Sequence, residues 1–144
     1  MSMITQIANA VKTELNDTGF SIPFTAEMSL LPVFELKDMR ELKVTVVPKA
    51  QSFTRLARGE SGREVQIDIG VQKKFSGESE AEELLGLVEE IATHFDGKRL
   101  AEYGNAICVK VQNEPVYAPE HIEQYRQFTS VLTLTFKVFL RKKL

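Results

Sequence analysis

Residues Arg63 to Phe95 read REVQIDIGVQKKFSGESEAEELLGLVEEIATHF, and inside this stretch the chain passes from one hydrophobic period to another. Val65, Ile67, Ile69, Val71 and Phe75 fall on one parity, with Gln66, Asp68, Gly70, Gln72 and Lys74 on the other. That alternation predicts a strand with one face in the core and one in water. After Ser76-Gly77 the apolar residues Leu84, Leu87, Val88, Ile91 and Phe95 recur three and four apart, which is the stripe of an amphipathic helix. Strand and helix therefore share one apolar layer. Ser79 with Glu82 three residues on forms an S-x-x-E capping box, and Gly97 stands where a left-handed residue would end the helix. The unit is expected to be scaffold.

Working outward toward the start, Ile4, Ile7, Ala8, Val11 and Leu15 keep helical spacing and Gly19 follows as a stop. From Phe24 to Phe34 the even positions are apolar except Pro32, which cannot donate to a ladder, so an edge strand is expected there. Leu42 to Val47 predicts a second strand, ended by Pro48 and joined to the first as a hairpin through the charged connection Glu35 to Glu41. Pro48 to Gly62 has only Phe53 and Leu56 as sizeable apolar groups and reads as a long, mobile connection, the kind that carries function.

Working outward toward the end, Ala106 to Val111 predicts a short strand, and Gln112 to Tyr125, with Pro115 and Pro119, an irregular connection holding a turn of helix at Glu120 to Tyr125. Phe128, Ser130, Leu132, Leu134, Phe136, Val138 and Leu140 share one parity of a final strand. At about 3.3 Å per residue it would reach roughly 45 Å, more than a small domain needs. The expected fold is α+β: a single mixed, mostly antiparallel sheet of about five strands with two helices packed on it, in the order α-β-β-β-α-β-β. One domain over residues 1–144 is expected, with the connection 48–62 and the basic end 141–144 mobile.

Composition narrows the function classes. A net charge of −2 argues against a dedicated nucleic-acid binder, and no stretch approaches membrane-spanning length. Met1 to Ala10 carries no positive charge and no continuous apolar run, so no secretory signal is expected. The single cysteine, Cys108, lies in an apolar strand and is expected to be a buried, inert thiol. Charge is unevenly placed, with seven acids and no Lys or Arg from Glu78 to Asp96, while Lys137, Arg141, Lys142 and Lys143 crowd the end.

No residue set converges on catalysis. Gly77-Glu78-Ser79-Glu80-Ala81, followed by Asp96 and His121, parallels a G-x-S-x-G nucleophile elbow, but Ala81 replaces the last glycine and the preceding strand is amphipathic. A small hydrolase using Ser79 is the weaker alternative, and a plain adaptor domain another. His94 and His121, the only histidines, lack H-x-x-x-H spacing, so no metal site is expected; His94 reads as a residue favoured by a helix C-terminus and His121 as a solvated turn residue. Gly59-Glu60-Ser61-Gly62 lacks the ending of a phosphate loop, and no cofactor is expected. The helix acids fit a solvated face. Tyr117 and Tyr125 with Arg126 have no second basic-aromatic row to support base stacking.

The helix Ile4 to Leu15, the strand Val65-Gln-Ile-Asp-Ile-Gly-Val71, the helix Leu84-Leu-Gly-Leu-Val-Glu-Glu-Ile91 and the strand Phe128-Thr-Ser-Val-Leu-Thr-Leu-Thr-Phe136, in that order, carry a resemblance. The chain resembles the tail-terminator (tail-completion) proteins of long-tailed bacteriophages and, more loosely, other head-to-tail joining proteins. The resemblance implies a structural protein of a phage or prophage, not an enzyme: a subunit that forms a ring, commonly of six, caps the tail tube, stops its polymerisation and meets the head connector. It implies the chain itself, the tail-tube protein and the head connector as partners, without a membrane or a specific nucleic-acid sequence. It places the protein in the host bacterial cytoplasm during assembly and then at the tail–head junction. The matching interaction segments are the connection with Phe53, Arg55, Leu56, Arg58 and Arg63, and a subunit interface pairing Glu82, Glu83, Glu89 and Glu90 with Lys137, Arg141, Lys142 and Lys143.

Overall fold

Val65, Ile67, Ile69 and Val71, all buried, line the middle of a five-stranded sheet. The computed structural model describes residues 2–30, 41–57, 60–74, 77–114, 116–121 and 126–141. Along the chain come α1 (Met3–Asp17), β1 (Ala26–Met28), β2 (Lys43–Ala57), β3 (Glu60–Lys74), α2 (Glu78–Phe95), β4 (Ala106–Asn113) and β5 (Gln127–Arg141). Across the sheet the order is β1-β2-β3-β5-β4. β1 is parallel to β2 and every other pairing is antiparallel. The fold is thus an α+β layer with a mixed, mostly antiparallel sheet.

Register turns the alternation of β3 into a core. Val46, Ile69 and Leu132 form one cross-strand row, and Val65, Phe136 and Cys108 another. Each of these side chains is fully buried. The helices cover this face, α1 over β1 and β2 and α2 over β5 and β4. Ile7, Val11 and Leu15 from α1 join Leu84, Leu87, Val88, Ile91 and Phe95 from α2 in a single cluster. Burial of these stripes against the sheet's apolar rows is the main stabilising term, about 1.5–3 kcal/mol for each large side chain.

Local chemistry sets the helix ends. Ser2 caps α1, its Oγ accepting the Thr5 N–H at 3.2 Å. Gly97 has φ +74° beyond the end of α2, a conformation that glycine enters without the Cβ penalty. The start of α2 corrects the capping-box expectation. The cap is Gly77, with no side-chain cap bond, and the Ala81 N–H reaches its carbonyl at 3.3 Å. Ser79 lies exposed inside the first turn. The helix begins early because Glu78 and Glu80 oppose its dipole and Lys73, near the end of β3, holds Glu80 at 2.5 Å.

Two strand expectations also need correction. Among the described residues the segment after Phe24 is paired only at Ala26–Met28, and this stretch lies parallel to β2 where the expected hairpin would be antiparallel. The side chain of Asn16 completes β1's outer edge, donating to the Ala26 carbonyl at 3.2 Å and accepting from its N–H at 2.7 Å. Pro32 and Phe34 lie outside the described residues.

Pro48 to Gly62 is likewise no connection. β2 continues through Pro48 to Ala57 and returns as β3, paired from Lys43↔Gln72 to Ala57↔Glu60. Pro48 is tolerated for a geometric reason. Val46 turns its carbonyl to Ser29 on the β1 side at 2.9 Å, and two residues on the Pro48 nitrogen faces the same outer side, past the end of β1. A bulge between Pro48 and Ala50 then absorbs Lys49. The ladder of backbone hydrogen bonds, which apolar side-chain counting leaves out, orders this segment. The turn of helix placed at Glu120 to Tyr125 begins at 119–121, and residues 122–125, like Pro115, lie outside the described residues.

One buried cost stands out on the sheet face away from the helices. Gln72 is 0% exposed, opposite Lys43 and Thr129, and neither Nε2 nor Oε1 has a hydrogen-bond partner among the described residues. An unpaired buried amide costs about 1–3 kcal/mol. Gln72→Leu is therefore expected to raise the unfolding free energy by about 1 kcal/mol in urea denaturation. A loss of stability would show that the amide is satisfied in solution.

Candidate functional site

The distal halves of β2 and β3 form an arm. A 15-residue strand spans about 50 Å, whereas the 15-residue helix α1 spans about 22 Å, so the hairpin outruns the layer covering it. Exposure follows this geometry, with Lys49 to Arg55 solvent-exposed on both faces. The arm has a third strand, since β5 pairs with β3 as far as Glu60↔Arg141. The outer edge of β2 beyond Val46 has no strand partner among the described residues, leaving backbone groups available for pairing.

The predicted contact residues occupy distinct places on this arm. Phe53 is 64% exposed, and Arg55 is exposed on the same face. Arg63 lies opposite Phe53 in the ladder, its guanidinium 4.6 Å from the Phe53 ring centroid and its Nη1 3.5 Å from the Met3 sulfur. It braces the base of the arm against the start of α1, with the charge held over the ring face. Arg58 and the side chain of Leu56 lie outside the described residues.

The acidic helix contributes a second surface. Glu82, Glu83 and Glu89 are exposed along α2. Glu90 is taken internally, accepting the Ser21 N–H at 3.1 Å and the Ser21 hydroxyl. Gly86 sits amid these acids, and a Cβ built there would meet nothing within 4 Å. The helix forgoes about 1 kcal/mol relative to alanine at this position with no contact among the described residues to require it. An open cleft runs beside it, lined by Thr18, Phe20, Glu89, Glu90 and His94. Phe20 stacks on Phe24, with centroids 5.6 Å apart.

Beneath the cleft a clasp joins the two helices. Glu14 accepts from His94 at 3.2 Å, Lys98 at 3.3 Å and the Ala101 N–H at 3.5 Å. Burial raises the Glu14 pKa, but the bonds from Lys98, His94 and Ala101 outweigh it and hold the carboxyl below its ordinary value. His94 also stands edge-on to Phe20 and Phe95, so it is half-buried and does more than complement the helix dipole.

The basic residues lie elsewhere than the sequence alone suggests. Lys137 is exposed on the sheet face opposite α2, together with Lys43, Lys49 and Lys110. Charge is thus divided through the thickness of the molecule, a pattern that parity along each strand could have revealed. On that face the Thr133 hydroxyl donates to Asp68 at 2.6 Å, with Lys49 at 3.9 Å from the same carboxylate. The side chain of Arg141, with Lys142 and Lys143, lies outside the described residues.

The hydrolase candidates are not brought together. Ser79 starts α2 on the helix side, while His121 Nδ1 lies 2.8 Å from Thr129 Oγ1, and Thr129 belongs to the opposite sheet face. Cys108 is buried, and burial pushes its thiol up to about 11. Among the described residues no group of three or more His, Cys, Asp or Glu could hold a metal, and no helix is long and apolar enough to cross a membrane. No protein-family model matches the chain, and no curated protein sequence matches it.

The clasp predicts a pH dependence. Because the folded pKa of Glu14 is depressed, its contribution is fully present above the unfolded value and is lost as pH falls through the folded one. Wild type should therefore exceed Glu14→Gln in stability at neutral pH, with the gap closing as the pH falls below the ordinary carboxylate range in paired denaturation curves. A gap that stays constant across that range would contradict the clasp.

Proposed function

We propose that the chain is a structural subunit of a phage or prophage tail terminator: a ring-forming protein that caps the tail tube, ends its polymerisation and joins tail to head, without catalysis. The observation that carries this reading is the arm. A domain acting alone gains nothing from a hairpin extended past its cover with Phe53 at the surface, whereas an assembly subunit needs an element that reaches another chain. Preformed strands keep the ordering cost of that contact low.

Two further features support it. The acidic surface of α2 and the lysines of the opposite sheet face are unlike patches on one chain, and unlike patches produce the head-to-tail contacts from which rings close. The element order of helix, three strands, helix and two strands is the one on which the resemblance to tail terminators rests. On this reading Phe53 and Arg55 meet the tube or a neighbouring subunit, and the host cytoplasm and then the tail–head junction are where the protein works.

Trimming the arm tests the proposal. Gln51 and Val65 are register partners, so Ser52 to Glu64 can be replaced by an Asn-Gly turn that leaves every buried apolar side chain of β2 and β3 in place. The variant is expected to fold, by circular dichroism and a cooperative melt, and to leave tails overlong or unjoined when it is the only copy available to the encoding phage. A folded variant that completes tails normally would overturn the proposal.

A further inference from the structure

We propose that the arm of one copy docks in the cleft at Gly86 of the next, with Phe53 against Phe20 and Arg55 against Glu89. This rests on the reading of the chain as a self-assembling subunit and names the surfaces that meet. Gly86 is the starting point. A glycine in mid-helix, half-buried and with open space where its Cβ would be, lets another chain approach the helix closely, and among the described residues nothing in the same chain does so. The cleft beside it has an aromatic wall, Phe20, and an acidic rim, Glu89, with Glu90 fixed by Ser21. Its occupant should be narrow, partly aromatic and cationic.

The arm has those properties. Phe53 and Arg55 alternate onto the same face of β2, both exposed, at the projecting end of a hairpin. The lysines on the opposite sheet face carry suitable charge but lie on a broad surface with Thr133 and Thr135 between them, which cannot enter a cleft. Arm and cleft are different surfaces of one chain, so the contact is heterologous and repeats from copy to copy. An aromatic anchor beside an arginine–carboxylate pair is also the composition in which binding energy concentrates at interfaces.

The test is sedimentation velocity of the full-length protein over a concentration series, with a thermal melt of each variant at a concentration where it is monomeric. Gly86→Gln should raise the melting midpoint, because glutamine is the better helix former and its Cβ would meet nothing within 4 Å, yet weaken self-association at least tenfold. Glu89→Arg and Arg55→Glu should each weaken association similarly, and the double variant should recover most of the loss. If wild type assembles and Gly86→Gln and both charge variants assemble equally well, this contact is overturned and the assembly reading stands. A wild type that stays monomeric at every concentration overturns both.

Discussion

The structure depends on one pairing, the uninterrupted antiparallel ladder between β3 and β5, which runs from Glu60↔Arg141 to Lys74↔Gln127. These two strands occupy the centre of the sheet, and each brings one further neighbour, β2 on one side and β4 on the other. Their apolar parity creates the face on which both helices rest. The same ladder, carried past the helices, supports the arm. Core and arm are thus two ends of one element, and a change that loosened the pairing near Val65 would be felt in both.

That unity explains what was legible in the sequence. Where one face is buried by a helix, alternation is strong, so the core half of β3, the stripe of α2 and the parity of β5 are plain from residues such as Ile67, Leu87 and Leu134. Gly97 was readable because only its backbone conformation matters. Beyond the helices both faces of β2 are wet, and Ala50, Ser52 and Thr54 alternate with Gln51, Phe53 and Arg55 without apolar contrast. Yet a signal was present. A final strand of roughly 45 Å needs a partner of comparable length, and only Pro48 to Gly62 could extend one. β1 was legible as an edge strand after Phe24, but three paired residues are too few for a pattern to show that they lie parallel to β2.

The functional surfaces were partly legible for a similar reason. The acidity of α2 is a property of composition and needs no structure. The cleft does not exist in sequence, because Phe20 and Gly86 meet only when the Glu14 clasp brings α1 and α2 together. Gly86 reads in isolation as a weak point of a helix, and acquires meaning once the space above it is seen to be open. The lysines are scattered along the chain, and sheet parity gathers them on one face. Contact surfaces built from distant residues are the part of a protein that local periodicity conveys least.

The most direct measurement of the account is hydrogen exchange at single amides of the arm by NMR. Val46 points its carbonyl toward β1, and the bulge at Lys49 shifts the alternation by one residue, so beyond it Ser52 and Thr54 direct their N–H groups into the ladder, while Phe53 and Arg55 direct theirs to the open edge. In the monomer, the Ser52 and Thr54 amides should exchange at least tenfold more slowly than those of Phe53 and Arg55 after correction for intrinsic rates, a difference of about 1.4 kcal/mol in protection. Four amides exchanging alike at the rates of an unstructured chain would contradict a preformed arm.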